Sequence, residues 1–178
     1  MSPRFVAPVA VLAALVAALG FVVALAGLPN VELVSLASFA SGTLLGVARG
    51  AWVGAIGEAI YSGLNPYGAA PPPTYASQIL GMATMGAAGG AVGGRLAGGP
   101  AWRGAAFAGA LGFLLTLFYD GLTNLGTALS IGAGRDPWPV ILGGWAFGAW
   151  HMASNTVFFA ALAPPLSAAL RRRQAATL

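Results

Sequence analysis

From Phe5 to Leu170, apolar stretches follow one another with only brief polar interruptions. None of them alternates apolar and polar residues with a period of two. Hydrocarbon admits only helices and closed barrels, so stretches this long without alternation predict helices. Six are predicted: from about Phe5 to Leu28, Glu32 to Val47, Ala51 to Leu64, Thr74 to Leu96, Trp102 to Tyr119, and Trp138 to Leu166. The breaks fall at Pro29-Asn30, at Arg49-Gly50, across Asn65 to Pro73, at Gly98-Gly99-Pro100, and across a long outer segment from Asp120 to Pro139. Pro and Gly dominate the first four, which helix interiors tolerate poorly. The second and third stretches cover only ~21–24 Å at 1.5 Å per residue, less than a ~30 Å hydrocarbon core. They form two tilted spans or a re-entrant hairpin, and both options return the chain to the same side. Arg4, an apolar run and Ala24-Leu25-Ala26 resemble a signal peptide, but the run exceeds the ~7–15 residues of a signal core. It reads as a retained first helix.

The chain of 178 residues is 58% hydrophobic and 7% charged, with a mean hydropathy of +0.81. Six crossings of ~20 residues use that length, leaving no room for a second domain. The expected fold is an all-α integral membrane protein: one domain over residues 1–178, a compact bundle of six transmembrane helices, both termini cytoplasmic. Cysteine is absent, which excludes a disulfide framework, a thiolate metal site and a cysteine nucleophile. The net charge of +4 comes from arginine alone as the basic residue: Arg4, Arg49, Arg95, Arg103, Arg135, Arg171, Arg172 and Arg173. On the six-pass topology only Arg135 lies outside, the bias expected when positive charge stays inside. The setting is a bacterial or archaeal cytoplasmic membrane, with Arg171–Arg173 against lipid headgroups. Arginines spread this way form no accessible patch for nucleic acid.

Small residues recur at helical spacing. Ala10, Ala14 and Ala18 form a small-xxx-small stripe on the first helix, beside Ala13 and Ala17; Gly86, Gly89, Gly90, Gly93 and Gly94 mark the fourth. Such stripes let helices approach closely. The fourth helix fits packing within the bundle, whereas the first is equally able to dock a partner subunit.

The acids are Glu32, Glu58, Asp120 and Asp136. Glu32 suits a helix N-terminus, and Asp136 beside Arg135 reads as a solvated loop residue. Glu58 lies within a helix, where a carboxyl is costly unless paired or hydrated. Tyr61 and Asn65 follow it on one face. His151, the only histidine, precedes Asn155 by a turn, with Trp145 nearby. Asp120, Thr123, Asn124 and Thr127 form another stripe, and Tyr75, Gln78 and Met82 a third. Together Glu58, Tyr61, Asn65, Tyr67, Gln78, Tyr119, Asp120, Asn124, Trp138, Trp145, His151 and Asn155 describe a pocket of polar anchors and aromatic walls, open to the outside. Glu58, His151 and Asn155 are its expected polar centre, and the loop from Asn65 to Pro73 its expected lid. One histidine without cysteines makes no metal site. No Gly-x-Ser-x-Gly elbow, Walker A loop or His-Glu-x-x-His occurs, so no enzyme is expected. The chemistry alone also admits a structural membrane protein that packs against partner helices and binds no small molecule.

The segments Pro29-Asn30-Val31-Glu32-Leu33-Val34, Leu44-Leu45-Gly46-Val47-Ala48-Arg49-Gly50-Ala51, Tyr61-Ser62-Gly63-Leu64-Asn65-Pro66-Tyr67-Gly68, Thr123-Asn124-Leu125-Gly126 and His151-Met152-Ala153-Ser154-Asn155 give the chain its resemblance. It resembles the substrate-binding S component of energy-coupling factor (ECF) vitamin transporters over nearly its whole length. The resemblance implies high-affinity binding of a water-soluble vitamin or precursor; thiamine-like, pyrimidine, cobalamin and queuosine-type ligands all stay open. It implies a transmembrane scaffold subunit and two ATPase subunits as partners, with ATP used there and no cofactor in this chain. Ala10, Ala14 and Ala18 match the family's docking stripe. The loaded S component of such a transporter is thought to topple in the membrane, carrying its site inward.

Overall fold

The computed structural model describes residues 3–27, 33–98, 100–131 and 136–176. The expected positions Pro29, Asn30, Glu32 and Arg135 lie outside the described residues, as do the side chains of Arg4 and Arg173. Among the described residues the fold is all helix: α1 (Pro3–Leu25), α2 (Leu33–Leu45), α3 (Val47–Gly63), α4 (Pro72–Val92), a 3₁₀ turn (Gly93–Ala97), α5 (Ala101–Ile131) and α6 (Trp138–Ala176). Three segments are long and apolar enough to cross a membrane: Phe5–Leu25, Ala101–Ile131 and Trp138–Arg172. Their outward faces carry Val11, Val22, Leu114, Phe118, Leu142, Phe147 and Val157, the apolar perimeter that lipid requires.

α1 lies against α3 and α2; α4 lies against α2, α3 and α5; α6 packs on α5 and α2. The core runs through Val16, Val34, Phe39, Val53, Met82, Met85 and Phe159. Phe39 and Phe159 meet edge to face at 5.3 Å, which ties α2 to α6. α2, α3 and α4 touch backbone to backbone where Gly42, Gly50 and Gly86 converge. A Cβ on Gly86 would land on the Gly50 carbonyl oxygen, and one on Gly42 would land on that of Gly86.

Several boundaries differ from the sequence reading. The break between α2 and α3 is Gly46 alone, at φ 88°, a conformation that glycine adopts without a Cβ clash. Arg49 therefore sits in the first turn of α3, its guanidinium 5.2 Å from the Phe5 ring centroid. α4 starts earlier, because Pro72 and Pro73 occupy its first turn, where no N–H is needed.

The largest correction concerns α5. Asp120 through Ile131 is helix, not an outer segment. Its hydroxyls turn back onto their own helix: Thr127 donates to the Thr123 carbonyl at 2.9 Å and Ser130 to that of Gly126 at 2.7 Å. Thr74 of α4 meets Ser130 at 3.1 Å. The polar residues face helices rather than water.

α6 likewise continues through Pro164-Pro165. The two prolines remove the N–H partners of the Ala160 and Ala161 carbonyls. Buried Ala163 and Ser167 hold the helix in place around them, and Arg171 Nη1 donates to the Gly94 carbonyl at 2.7 Å.

The last turns of α1, α3 and α5 share one end of the bundle. Tyr67, in the loop after α3, donates to the Ala24 carbonyl at the end of α1 at 2.8 Å. The opposite end carries Arg49, Arg95, Arg103, Arg171 and Arg172. The chemistry-bearing residues belong to the first end.

Candidate functional site

Depth comes from α5. Thr116, Tyr119, Asp120, Thr123, Asn124 and Thr127 recur at three- and four-residue steps, so they share one face of the helix. That face runs from the middle of the bundle toward the end where α1, α3 and α5 finish. α3 and α6 close on it from either side, each with a buried polar group of its own.

From α3 comes Glu58, only 1% exposed. Its Oε1 accepts from Ser62, one turn on, at 2.7 Å, and from the Tyr119 hydroxyl at 3.2 Å. From α6 comes His151, 2% exposed. Its Nδ1 lies 2.8 Å from Asp120 Oδ1. Tyr119 joins the two halves: its hydroxyl meets Glu58 while its ring stands edge-on to the His151 ring, centroids 5.9 Å apart. One turn deeper, Asn155 Nδ2 donates to Thr116 Oγ1 at 3.0 Å. Two glycines of α6 make room. A Cβ on Gly148 would stand 2.8 Å from Asp120 Oδ2, and one on Gly144 would strike the Asn124 amide.

Several buried polar atoms have no hydrogen-bond partner among the described residues: Asp120 Oδ2, Asn155 Oδ1, Gln78 Oε1, Thr123 Oγ1 and Asn124 Nδ2. Three of these five are pure acceptors. Buried acceptors that stay unmatched cost about 1–3 kcal/mol each, so the site suits a ligand that donates hydrogen bonds.

The twelve residues expected to line a pocket divide. Glu58, Tyr119, Asp120 and His151 come together, and Asn155 lies one turn beneath them on α6. Asn124, one turn on along α5, lies against Gly144 of α6, and Gln78 of α4 is half-buried. The other five point elsewhere. Tyr61 turns to α1, its ring edge-on to Phe21 at 5.6 Å. Asn65 Oδ1 accepts the Tyr67 N–H at 2.9 Å and shapes the loop. Tyr67 is 78% exposed, Trp138 61% and Trp145 39%. Asp136 is exposed and accepts the Trp138 N–H at 3.1 Å as α6 opens.

Sequence reasoning missed Ser62, Thr116, Gly144 and Gly148. All four share a helix face with residues already singled out: Ser62 lies four residues after Glu58, Thr116 four before Asp120, and Gly148 and Gly144 three and seven before His151. Extending each polar face by one or two turns would have found them. On α1, Ala13 and Ala17 are buried while Ala10, Ala14 and Ala18 face outward. A groove of about 230 Å³ lies beside this stripe, lined by Phe5, Val6, Val9, Ala10, Trp52 and Ile56.

No family model, curated protein or solved structure matches the chain. The reading of the site rests on its own geometry. Among the described residues no group of three or more His, Cys, Asp or Glu is placed to hold a metal ion.

Proposed function

We propose that this chain is the substrate-binding membrane subunit of an ECF-type importer for a water-soluble vitamin or vitamin precursor. It crosses the membrane six times, with both termini and the arginine-bearing end in the cytoplasm. Its ligand enters from the opposite end and reaches Glu58, Tyr119, Asp120 and His151. The observation that carries this reading is the buried polar cluster itself. A bundle that needs polar groups only for cohesion pairs them with one another. Here Asp120 Oδ2, Asn155 Oδ1 and Gln78 Oε1 stay unmatched in an apolar interior, which favours a ligand over a purely structural role. The outward alanines of α1 serve as the face that docks the scaffold subunit, and ATP is hydrolysed on the partner ATPases.

The test is native mass spectrometry of the protein purified from its host membrane, with small molecules released and identified. Wild type should carry a stoichiometric small molecule. Glu58→Gln should lose it, since a lost charge-assisted hydrogen bond is worth ~1.5–3 kcal/mol, roughly tenfold to over a hundredfold in affinity. A wild-type protein that carries none, and binds none from a panel of vitamins, assigns the cluster to the bundle.

A further inference from the structure

α2, α4, α5 and α6 pack as a ring. α2 lies against α4 and α6, α5 lies against α4 and α6, and among the described residues neither α2 and α5 nor α4 and α6 touch. α2 contributes three buried serines to this ring. Ser41 donates to the Ala37 carbonyl one turn back at 2.8 Å, the usual outlet for a helical hydroxyl. Ser38 Oγ meets Met82 Sδ of α4 at 4.0 Å. Ser35 does neither. It is 0% exposed, and its Oγ has no partner among the described residues.

The neighbouring helices fix what Ser35 faces. α2 and α6 both run toward the arginine end, and Phe39 meets Phe159 between them. One turn back along each helix, on the same face, stand Ser35 and Asn155. Asn155 is also 0% exposed; its Nδ2 donates to Thr116, and its Oδ1 is unmatched. α4 runs the same way. One turn back from the contact of Ser38 with Met82 stand Ser35 again and Gln78, whose Oε1 is buried without a partner among the described residues. Three helices bring one hydroxyl and two amide oxygens to one level, none of them bonded to another. A hydroxyl buried this way costs stability, and alanine would fill the same place without that cost.

We propose that Ser35, with Asn155 and Gln78, forms the deep end of the binding site and takes an uncharged group that both donates and accepts a hydrogen bond: a carboxamide, a ring lactam or a hydroxyl. The group's N–H or O–H donates to Asn155 Oδ1 or Gln78 Oε1, and the Ser35 hydroxyl donates to its oxygen. None of the three side chains carries a charge to balance an ion. Ser35 is then a specificity residue, because an analogue with a methyl in that place leaves buried polar groups unmatched. Asn155 lies one turn beneath His151, so this end adjoins the Glu58, Tyr119, Asp120 and His151 cluster. That the group belongs to a ligand rests on the importer reading.

The small molecule that co-purifies with the protein is itself the probe. Wild type, Ser35→Ala, Ser38→Ala and Gln78→Met are purified from the host membrane and diluted stepwise, and native mass spectrometry reads the fraction still loaded. Ser35→Ala and Gln78→Met should each unload at a concentration roughly three- to tenfold higher than wild type, the loss of one neutral hydrogen bond. Ser38→Ala, whose hydroxyl is already spent on Met82, should unload with wild type. The unloaded proteins are then melted. Ser35→Ala should be at least as stable as wild type, because the change removes a hydroxyl without a partner and improves helix propensity. A Ser35→Ala protein that unloads with wild type, or that melts several degrees lower when unloaded, assigns the hydroxyl to the bundle or to a buried water and overturns the proposal. So does a Ser38→Ala protein that unloads as early as Ser35→Ala, which would make the effect one of packing along α2. Should Ser35→Ala fail gel filtration, Gln78→Met carries the test by the same two readouts. A wild type that carries no small molecule overturns the importer reading and this proposal with it; a loaded wild type whose Ser35→Ala variant stays equally loaded overturns this proposal alone.

Discussion

Adding one methyl group at two glycines should change stability in opposite directions. Gly86 of α4 and Gly121 of α5 are both interior helix positions, so Gly→Ala offers each the same gain in helix propensity, ~0.8–1.0 kcal/mol. What differs is the surroundings. At Gly121 a new Cβ meets nothing within 4 Å. At Gly86 it lands on the Gly50 carbonyl oxygen, and Gly50 is itself pressed against Gly42 and Gly86. The obstacle is backbone on three converging helices, so no rotamer change relieves it. Overpacking of a close-packed site costs typically ~1–3 kcal/mol, and contact with a rigid carbonyl belongs at the upper end. The net loss at Gly86 is then ~1–2 kcal/mol, against a gain of up to ~1 kcal/mol at Gly121. For a chain of this length each kcal/mol moves the midpoint by about 2–4 °C. Gly86→Ala should therefore lower the melting temperature by about 2–8 °C and Gly121→Ala raise it by about 2–4 °C. Thermal unfolding in one detergent, followed by tryptophan fluorescence and gel filtration, measures both. A Gly86→Ala protein as stable as wild type would refute the three-helix glycine contact.

Tyr119→Phe removes the hydroxyl that donates to Glu58 Oε1 at 3.2 Å; thermal unfolding should show a loss of ~0.5–1.5 kcal/mol, the range for one hydrogen bond whose acceptor keeps a second donor, Ser62. Tyr67→Phe removes the bond from the loop after α3 to the Ala24 carbonyl. Amide exchange across residues 64–71 should quicken while the melting temperature shifts little, because the residue is exposed and its bond is worth ~0.5–1.5 kcal/mol. Ala14→Trp places a large ring on the outward face of α1, opposite buried Ala13 and Ala17. Co-purification with the scaffold subunit should be abolished while the isolated chain keeps its small molecule, and normal assembly would remove α1 from the docking role.

The order of helices was legible because proline and glycine punctuate an otherwise continuous apolar text. So was most of the cluster: Glu58, His151 and Asn155 stood out as polar groups within apolar helices, which a bundle interior does not tolerate without partners. What sequence could not supply was register. That His151 meets Asp120, and Asn155 meets Thr116, depends on how far α6 slides along α5. Aromatic residues were misleading for a related reason. Tyr61 and Trp145 occur near the right depth, but a ring is equally at home against a pocket, a neighbouring helix or lipid. The end of α5 failed differently. Asp, Asn, Thr and Ser suggest turns because their side chains compete with the backbone for hydrogen bonds. In Thr127 and Ser130 those same side chains bond to carbonyls one turn back, which is compatible with helix. The three- and four-residue spacing of the stripe was the better signal, and it pointed to helix throughout.

The two halves of the α5 and α6 contact use opposite solutions to the same problem. Toward the arginine end the small residues belong to α5: a Cβ on Gly112 would stand 2.7 Å from the Phe159 Cβ, and Gly109 faces Thr156 and Ala160. Toward the other end they belong to α6, where Gly144 and Gly148 face Asn124 and Asp120. The exchange happens at the level of His151 and Asn155. Below it, α6 supplies bulk and α5 gives way, so the contact is apolar and tight. Above it, α5 supplies polar side chains and α6 gives way, so carboxyl and amide groups lie against bare backbone instead of against methyl groups. A glycine opposite a carboxylate does nothing for hydrophobic cohesion. It lets the α6 backbone close directly on Asp120, whose Oδ2 is buried without a partner among the described residues.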